Sequence, residues 1–233
     1  MNFLELVQKG YGISRAGQGD IFAEPDTVAN QTGKLREFVE FVAMSWEDIQ
    51  SSQPSWRFMR REGTLTLPQG QTTVSPSAIS DFESIVLADP DGRGRSISLY
   101  RESVADEQTV RFVAWGDWQQ SYLQRGARGV GQPGCFTIKP DGDLEFDLEA
   151  DAAYTVKLYY KRSPQPLQQD TDEPIMPAKY HKAIFWWALA NYYCTSRPDA
   201  KAFEASCRRN LNREMRVLHH EQLDEHLSVE VTA

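Results

Sequence analysis

The spacing of apolar residues changes twice along the chain, from a period near 3.6 to a period of two and back, which predicts helices, then strands, then helices. Phe3, Leu6 and Val7 give an opening helix its apolar face, and Asn2 with Glu5 predicts a capping box at its start. The glycines between Gly10 and Gly19 predict a turn. A second helix is expected from about Pro25, a residue suited to a first helical turn. Its stripe is Val28, Leu35, Val39, Val42, Trp46 and Ile49.

From Trp56 the pattern alternates. Leu65 and Leu67 interleave with Thr64 and Thr66, and Phe82 to Ala88 and Ser96 to Tyr100 read as strands around the turn signal Asp89-Pro-Asp-Gly92. Trp115 to Gln124 predicts a short helix. Leu144, Phe146 and Leu148 then interleave with Asp143, Glu145, Asp147 and Glu149, and Tyr154, Val156, Leu158 and Tyr160 with Thr155, Lys157, Tyr159 and Lys161. Joined by a tight loop, these two segments predict an antiparallel hairpin with Lys157 opposite Glu145 or Asp147. Pro164, Pro166, Pro174 and Pro177 end the strands.

The helix expected from Ala178 to Ser196 is apolar nearly all round. Tyr180, Ile184, Trp187 and Ala188 share one side, Phe185, Leu189 and Tyr192 lie beside them, and Trp186 and Tyr193 lie beyond. Such a helix belongs between layers or at a subunit contact. The last helix, capped by Asp199, turns Phe203, Cys207, Leu211, Met215 and Leu218 inward and sets Arg209, Arg213 and Arg216 on the opposite face. In the final segment Leu227, Val229 and Val231 alternate with polar residues, as a strand does that adds to another sheet or groove. The expected fold is therefore α+β. Residues 1–55 and 163–222 supply a bundle of N- and C-terminal helices, 56–162 a central antiparallel β region, and 223–233 an extended tail.

Composition narrows the function. With 233 residues, 40% of them hydrophobic, the chain can bury a real core. Asp and Glu outnumber Lys and Arg by 33 to 25, and a net charge of −8 argues against a nucleic-acid coat. The opening residues include Glu5 and no basic run, so they are not read as a secretory signal. Ile184 to Cys194 is about half the ~20 residues a bilayer crossing needs, so no membrane is expected. Cys135, Cys194 and Cys207 are too scattered for a disulfide framework or a zinc knuckle, and a reduced, intracellular site of assembly is the expectation.

Motifs for chemistry fail on context. Gly129-Val-Gly131-Gln-Pro-Gly134 fits GxGxxG, but a strand rather than a helix is expected after it, so a loop is the better account. Asp89-Pro-Asp91 and Asp141-Gly142-Asp143 lack the later ligands of a calcium loop and read as turns. His181, His219, His220 and His226 form no metal or catalytic pattern. No cofactor, metal or catalytic residue is expected. Asp143, Glu145 and Asp147 read as a solvated strand face, or as a face meeting a neighbouring subunit or a channel. The arginine stripe suits a carboxylate-rich partner, because a guanidinium binds carboxylates bidentately.

Phe3-Leu-Glu-Leu-Val7, the helix ending Trp46-Glu-Asp-Ile49, Trp56-Arg-Phe58 and Thr64-Leu-Thr-Leu67 resemble the N-terminal half of head–tail adaptor (connector) proteins of tailed bacteriophages. Tyr154-Thr-Val-Lys-Leu-Tyr-Tyr160, Leu167, Asp170, Asp172-Glu-Pro174, Pro177, Tyr180-His181 and the aromatic helix resemble that family's C-terminal half. Gly131-Gln-Pro133 resembles a family loop, and the region from Asp89 to Gly131 is otherwise unmatched. The resemblance implies a structural protein of the virion neck, assembled in the host cytoplasm. It would form a dodecameric ring with copies of itself, join the portal protein to the tail or nozzle protein, and let double-stranded DNA pass without specific binding. On that reading Arg209, Arg213, Arg216, Leu227, Val229 and Val231 meet the portal or a neighbouring subunit. Asp143, Glu145, Asp147, Trp186 and Tyr193 meet a subunit or the lumen. The alternatives are a tail-completion or baseplate protein, or a glycan-cleaving tail enzyme using Asp143 or Glu145.

Overall fold

A computed structural model of the chain describes residues 1–18, 24–87, 97–123 and 128–223 and the backbone of 230–231. Among them are five α-helices: α1 Phe3–Gln18, α2 Gly33–Ser51, α3 Trp115–Trp118, α4 Lys182–Ser196 and α5 Lys201–Gln222. Residues Met1–Met59 and Pro164–Leu223 form one compact unit, which holds every helix but α3.

The capping box forms as expected: the Asn2 amide donates to Glu5 Oε2 at 3.1 Å and the Glu5 amide to Asn2 Oδ1 at 2.8 Å. The turn expected from Gly10 does not form. α1 runs on to Gln18, because Gly10 and Gly17 serve close helix packing rather than chain reversal. A Cβ on Gly10 would lie 2.5 Å from Phe38 Cζ, and one on Gly17 2.2 Å from Phe203 Cε2. The second helix also departs from expectation, starting at Gly33 rather than near Pro25. The Asp170 carboxylate holds the segment before it, accepting from Thr27 Oγ1 at 2.8 Å and from the Val28 amide at 2.6 Å. Val28 is thus buried from a loop, and α2 buries Phe38, Val42, Trp46 and Ile49.

α4 lies at the centre of this unit and packs against α1, α2 and α5, which explains its lack of a polar face. Tyr192 meets Phe38 and Phe41 of α2 edge-on, with ring centroids 5.6 and 6.0 Å apart, and Tyr193 meets Phe203 of α5 at 4.7 Å. The proline-rich connector is tied down by its own carbonyls and one amide side chain. The free amides of Phe3 and Leu4 donate to the carbonyls of Asp172 and Asp170, and Gln50 exchanges two hydrogen bonds with the backbone of Gln165. At the entrance to α4, His181 is buried. Its Nε2 lies 2.7 Å from the Met176 carbonyl and its Nδ1 3.0 Å from the N-terminal ammonium, so the neutral Nε2–H tautomer satisfies both.

The other unit contains Arg60–Ser163 and the terminal strand. Its strands are β1 Arg60–Leu67, β2 Thr73–Val74, β3 Phe82–Val86, β4 Ile97–Tyr100, β5 Gln108–Phe112, β6 Val130–Gly131, β7 Cys135–Ile138, β8 Leu144–Phe146, β9 Glu149–Ala150, β10 Tyr154–Arg162 and β11 Glu230–Val231. β10 is the axis. One edge pairs with β1 along its whole length, and the other pairs with β4 through Thr155–Leu158 and with β3 from Tyr160. From β4 the sheet continues through β5, β7 and β8 to β2, which comes back against β1, so the sheet is barrel-like and nearly closed.

Two sequence expectations fall here. A helical bundle around a central antiparallel β region does not describe the chain, since the β part is a large, nearly closed sheet in its own right. That sheet is mixed: β5 and β7 run parallel, and so do β6 and β9 in a separate ladder. The predicted hairpin is also absent. β8 pairs with β7 and β2, and Lys157 sits opposite Thr64 and Ser98 rather than Glu145 or Asp147. Alternation reports which face of a strand is buried but not which strand lies beside it. The turn expected at Asp89–Gly92 lies outside the described residues.

Gly12 has nothing within 4 Å of its would-be Cβ. Gly12→Ala should therefore stabilise the fold by about 1 kcal/mol through helix propensity. Gly10→Ala should destabilise it, because overpacking costs about 1–3 kcal/mol. Urea unfolding of the two variants checks this, and equal gains would remove the close-packing role of Gly10. Burial pushes the His181 pKa below 6.5, so the unfolded chain binds the proton more readily than the native state. Stability is then full above the unfolded value and falls as pH drops through it towards the lower folded one. Melting temperatures at pH values from about 7.5 to about 5.5 should fall less steeply for His181→Gln than for the native chain.

Candidate functional site

The exposed arginines of α5 follow from its narrow buried stripe. Of its 22 residues only Cys207 and Leu218 are fully buried, and burial pushes the Cys207 thiol up to about 11. At 100° per residue, Arg209, Arg213 and Arg216 fall on the face opposite those two, and all three are exposed. Arg213 pairs only with its neighbour Glu214, at 3.1 Å, and Arg209 and Arg216 make no ion pair among the described residues. The neighbouring Arg208 is engaged by Glu204 at 2.7 Å. Val217, 45% exposed, lies beside this basic face. The helix end is anchored separately: the Tyr180 hydroxyl and Lys179 both reach Glu221, and together they hold its carboxyl below its usual range.

The acidic residues expected on one strand face are dispersed. Asp141 sits in the β7–β8 turn, 2.7 Å from Lys139 Nζ, and Asp143 is 3.8 Å from the same ammonium. Glu145 is buried in an ion pair with Arg128, whose guanidinium also donates to the Phe146 carbonyl. Asp147 accepts the amides of Gly134 and Cys135 at 3.0 and 3.1 Å. β8 is only three residues long and all three are buried, so the alternation of the sequence never becomes a wet stripe. Lys157 instead reaches Glu62 at 3.3 Å and Glu107 at 3.8 Å. Asp143 and Glu145 thus answer different cations.

Of the aromatic residues singled out, Trp186 is partly exposed, whereas Tyr193 is wholly buried with its hydroxyl 2.6 Å from Ser14 Oγ. Val231 lies in β11, and Leu227 and Val229 lie outside the described residues. The structure brings Arg209, Arg213 and Arg216 onto one face and leaves the acidic residues on separate tasks. Among the described residues no three His, Cys, Asp or Glu side chains are grouped to hold a metal, and no helix is long and apolar enough to cross a membrane.

Two polar clusters escaped the sequence. Asp81 accepts from the Tyr160 hydroxyl at 2.7 Å, Arg162 at 3.0 Å and Arg61 at 3.2 Å; burial alone would raise its pKa, but these partners lower it. A cleft of about 590 Å³ is lined by Arg101, Glu107, Gln132, Asp151 and Tyr154, and there Arg101 binds both the Tyr154 hydroxyl and Asp151. Arg101 is 50 or more residues from both of its partners, and Asp81 is 79 and 81 from Tyr160 and Arg162, so no local pattern announced these clusters.

Removing one member of the Arg128–Glu145 pair strands a charge in the sheet unit. Arg128→Ala should cost about 3 kcal/mol, and Arg128→Met with Glu145→Gln should recover much of it. Urea unfolding reads both, and a neutral single variant would place Glu145 in water.

No curated protein matches the chain. A family model described as SU10 adaptor protein matches residues 16–231, a span that takes in both structural units. With that coverage, the chain belongs to the SU10 adaptor protein family and is a phage structural adaptor.

Proposed function

We propose that the chain assembles in the host cytoplasm as a ring and seats in the virion neck, joining the portal to the next tail or nozzle component while double-stranded DNA passes through. The observation that carries this reading is the family match over residues 16–231. The exposed arginine face of α5 supports it as the portal-facing or subunit-facing surface, since Arg209 and Arg216, which make no ion pair among the described residues, are available to a partner's carboxylates. Asp143, Asp147 and Trp186 keep some exposed surface and are assigned to a neighbouring subunit or the lumen. Glu145 and Tyr193 are spent inside the chain. The net charge of −8 suits the lumen role, because a ring of such chains repels DNA wherever its carboxylates face the channel.

Electron microscopy of the chain mixed with purified portal should show a ring, twelve-fold on this reading, seated on the portal; absence of any complex overturns it. Replacing Arg209, Arg213 and Arg216 together by Glu should abolish portal binding. The same change should shift unfolding by only about 0.5 kcal/mol per site, as exposed substitutions do. Undiminished binding would return the stripe to solvent.

A further inference from the structure

The basic face of α5 has an acidic counterpart on α2. Glu40, Met44, Glu47 and Asp48 are all exposed, and they follow one another at the same steps as Arg209, Arg213, Arg216 and Val217. Each set is therefore one ridge along its helix, about 10 Å from the first charge to the corresponding last one. Glu40 is met by Arg36 at 2.7 Å, and Glu47 and Asp48 make no ion pair among the described residues. Each ridge also carries an exposed apolar side chain, Met44 at 56% and Val217 at 45%.

The two helices run the same way and stand at the same level. Ser196, at the end of α4, donates to Glu37 near the start of α2. α5 starts at that same end, after the short turn Pro198–Ala200, and runs back until Glu221 meets Tyr180 just before α4. At the far end Trp56 ties α2 to α5. Its Nε1 donates to the Ile49 carbonyl at 2.7 Å, and its ring lies 5.2 Å from that of His219. Glu47 comes two residues before Ile49 and Arg216 three before His219. The ridges thus match in level to within about one helical turn.

Two different patches on one chain make a head-to-tail contact, the kind that closes into a ring. Rotation about an axis along these helices leaves every residue at its own level, so it brings the α5 ridge of one copy to the α2 ridge of the next without a shift. We propose that Arg209 and Arg216 of each copy pair with Glu40 and Glu47 of its neighbour, with the aliphatic stem of Arg213 covering Met44. The proposal rests on the ring reading above and names a second copy as the partner of the arginine face; the portal then receives the ring that these contacts close. A second copy is favoured over another acidic protein because sign, spacing and level all match on this one chain.

Charge reversal in two separate chains tests it. One full-length variant carries Arg209→Glu and Arg216→Glu, the other Glu40→Arg and Glu47→Arg. Each is mixed with purified portal alone, and then both together with it; electron microscopy counts rings, and urea unfolding reports that each variant is folded. Either variant alone should lose ring formation, since like charges then meet at every seam. An equimolar mixture should restore it, because alternating copies again join opposite charges at each seam, and native mass spectrometry should find the two in equal numbers. Glu40→Gln with Glu47→Gln, which keeps the shape of α2, should lower the yield of rings as well. Undiminished assembly of any of these variants alone, or a mixture no better than its parts, overturns the α2–α5 seam and leaves the ring reading standing when the native chain forms rings on portal. No ring from the native chain takes down the ring reading itself.

Discussion

A fifteen-residue helix with no polar face, α4, is the constraint on which the helical unit depends. It can be covered only by bringing both ends of the sequence to it, and α1, α2 and α5 each give it one side. The consequences reach down to single atoms. Gly10 and Gly17 have no side chain because Phe38 and Phe203 occupy that space while packing in this core. Trp56, after α2, is buried with its Nε1 donating to the Ile49 carbonyl at 2.7 Å, and it stacks on Phe58. Burial of these aromatic surfaces is the main stabilising term, and the hydrogen bonds around them satisfy groups that would otherwise be buried unpaired.

β10 has the same role in the sheet unit. A strand buried on one face and flanked on both edges must recruit partners from elsewhere in the chain, and it finds β1, β3 and β4. The charges follow the same economy of placement. Asp81, Glu145, Asp147 and Asp151 each answer a donor within the unit, so an acidic chain shows fewer free carboxylates than its composition suggests. Among the described residues, the arginines of α5 are exposed on one face.

The reading from sequence held where the physics is local. The capping box of Asn2 and Glu5, the alternation of β1 and β10, the turn at Asp141–Asp143 and the outward arginines of α5 all stand in the structure. It failed where a residue's role is set by something distant. Glycines read as a turn proved to be helix contacts, Val28 was drawn out of its helix by Asp170, and Lys157 found Glu62 and Glu107 instead of Glu145 or Asp147.

The amino-acid sequence by itself determined the local periods and the family. Each of these depends on residues within a few positions of one another or on the order of such patches. Only the tertiary structure decided that the strands close into a mixed, nearly complete barrel and that the acidic stripe is dispersed. Alternation is indifferent to the identity of the neighbouring strand, and strand partnership is settled by non-local burial and backbone pairing that no stretch of sequence contains.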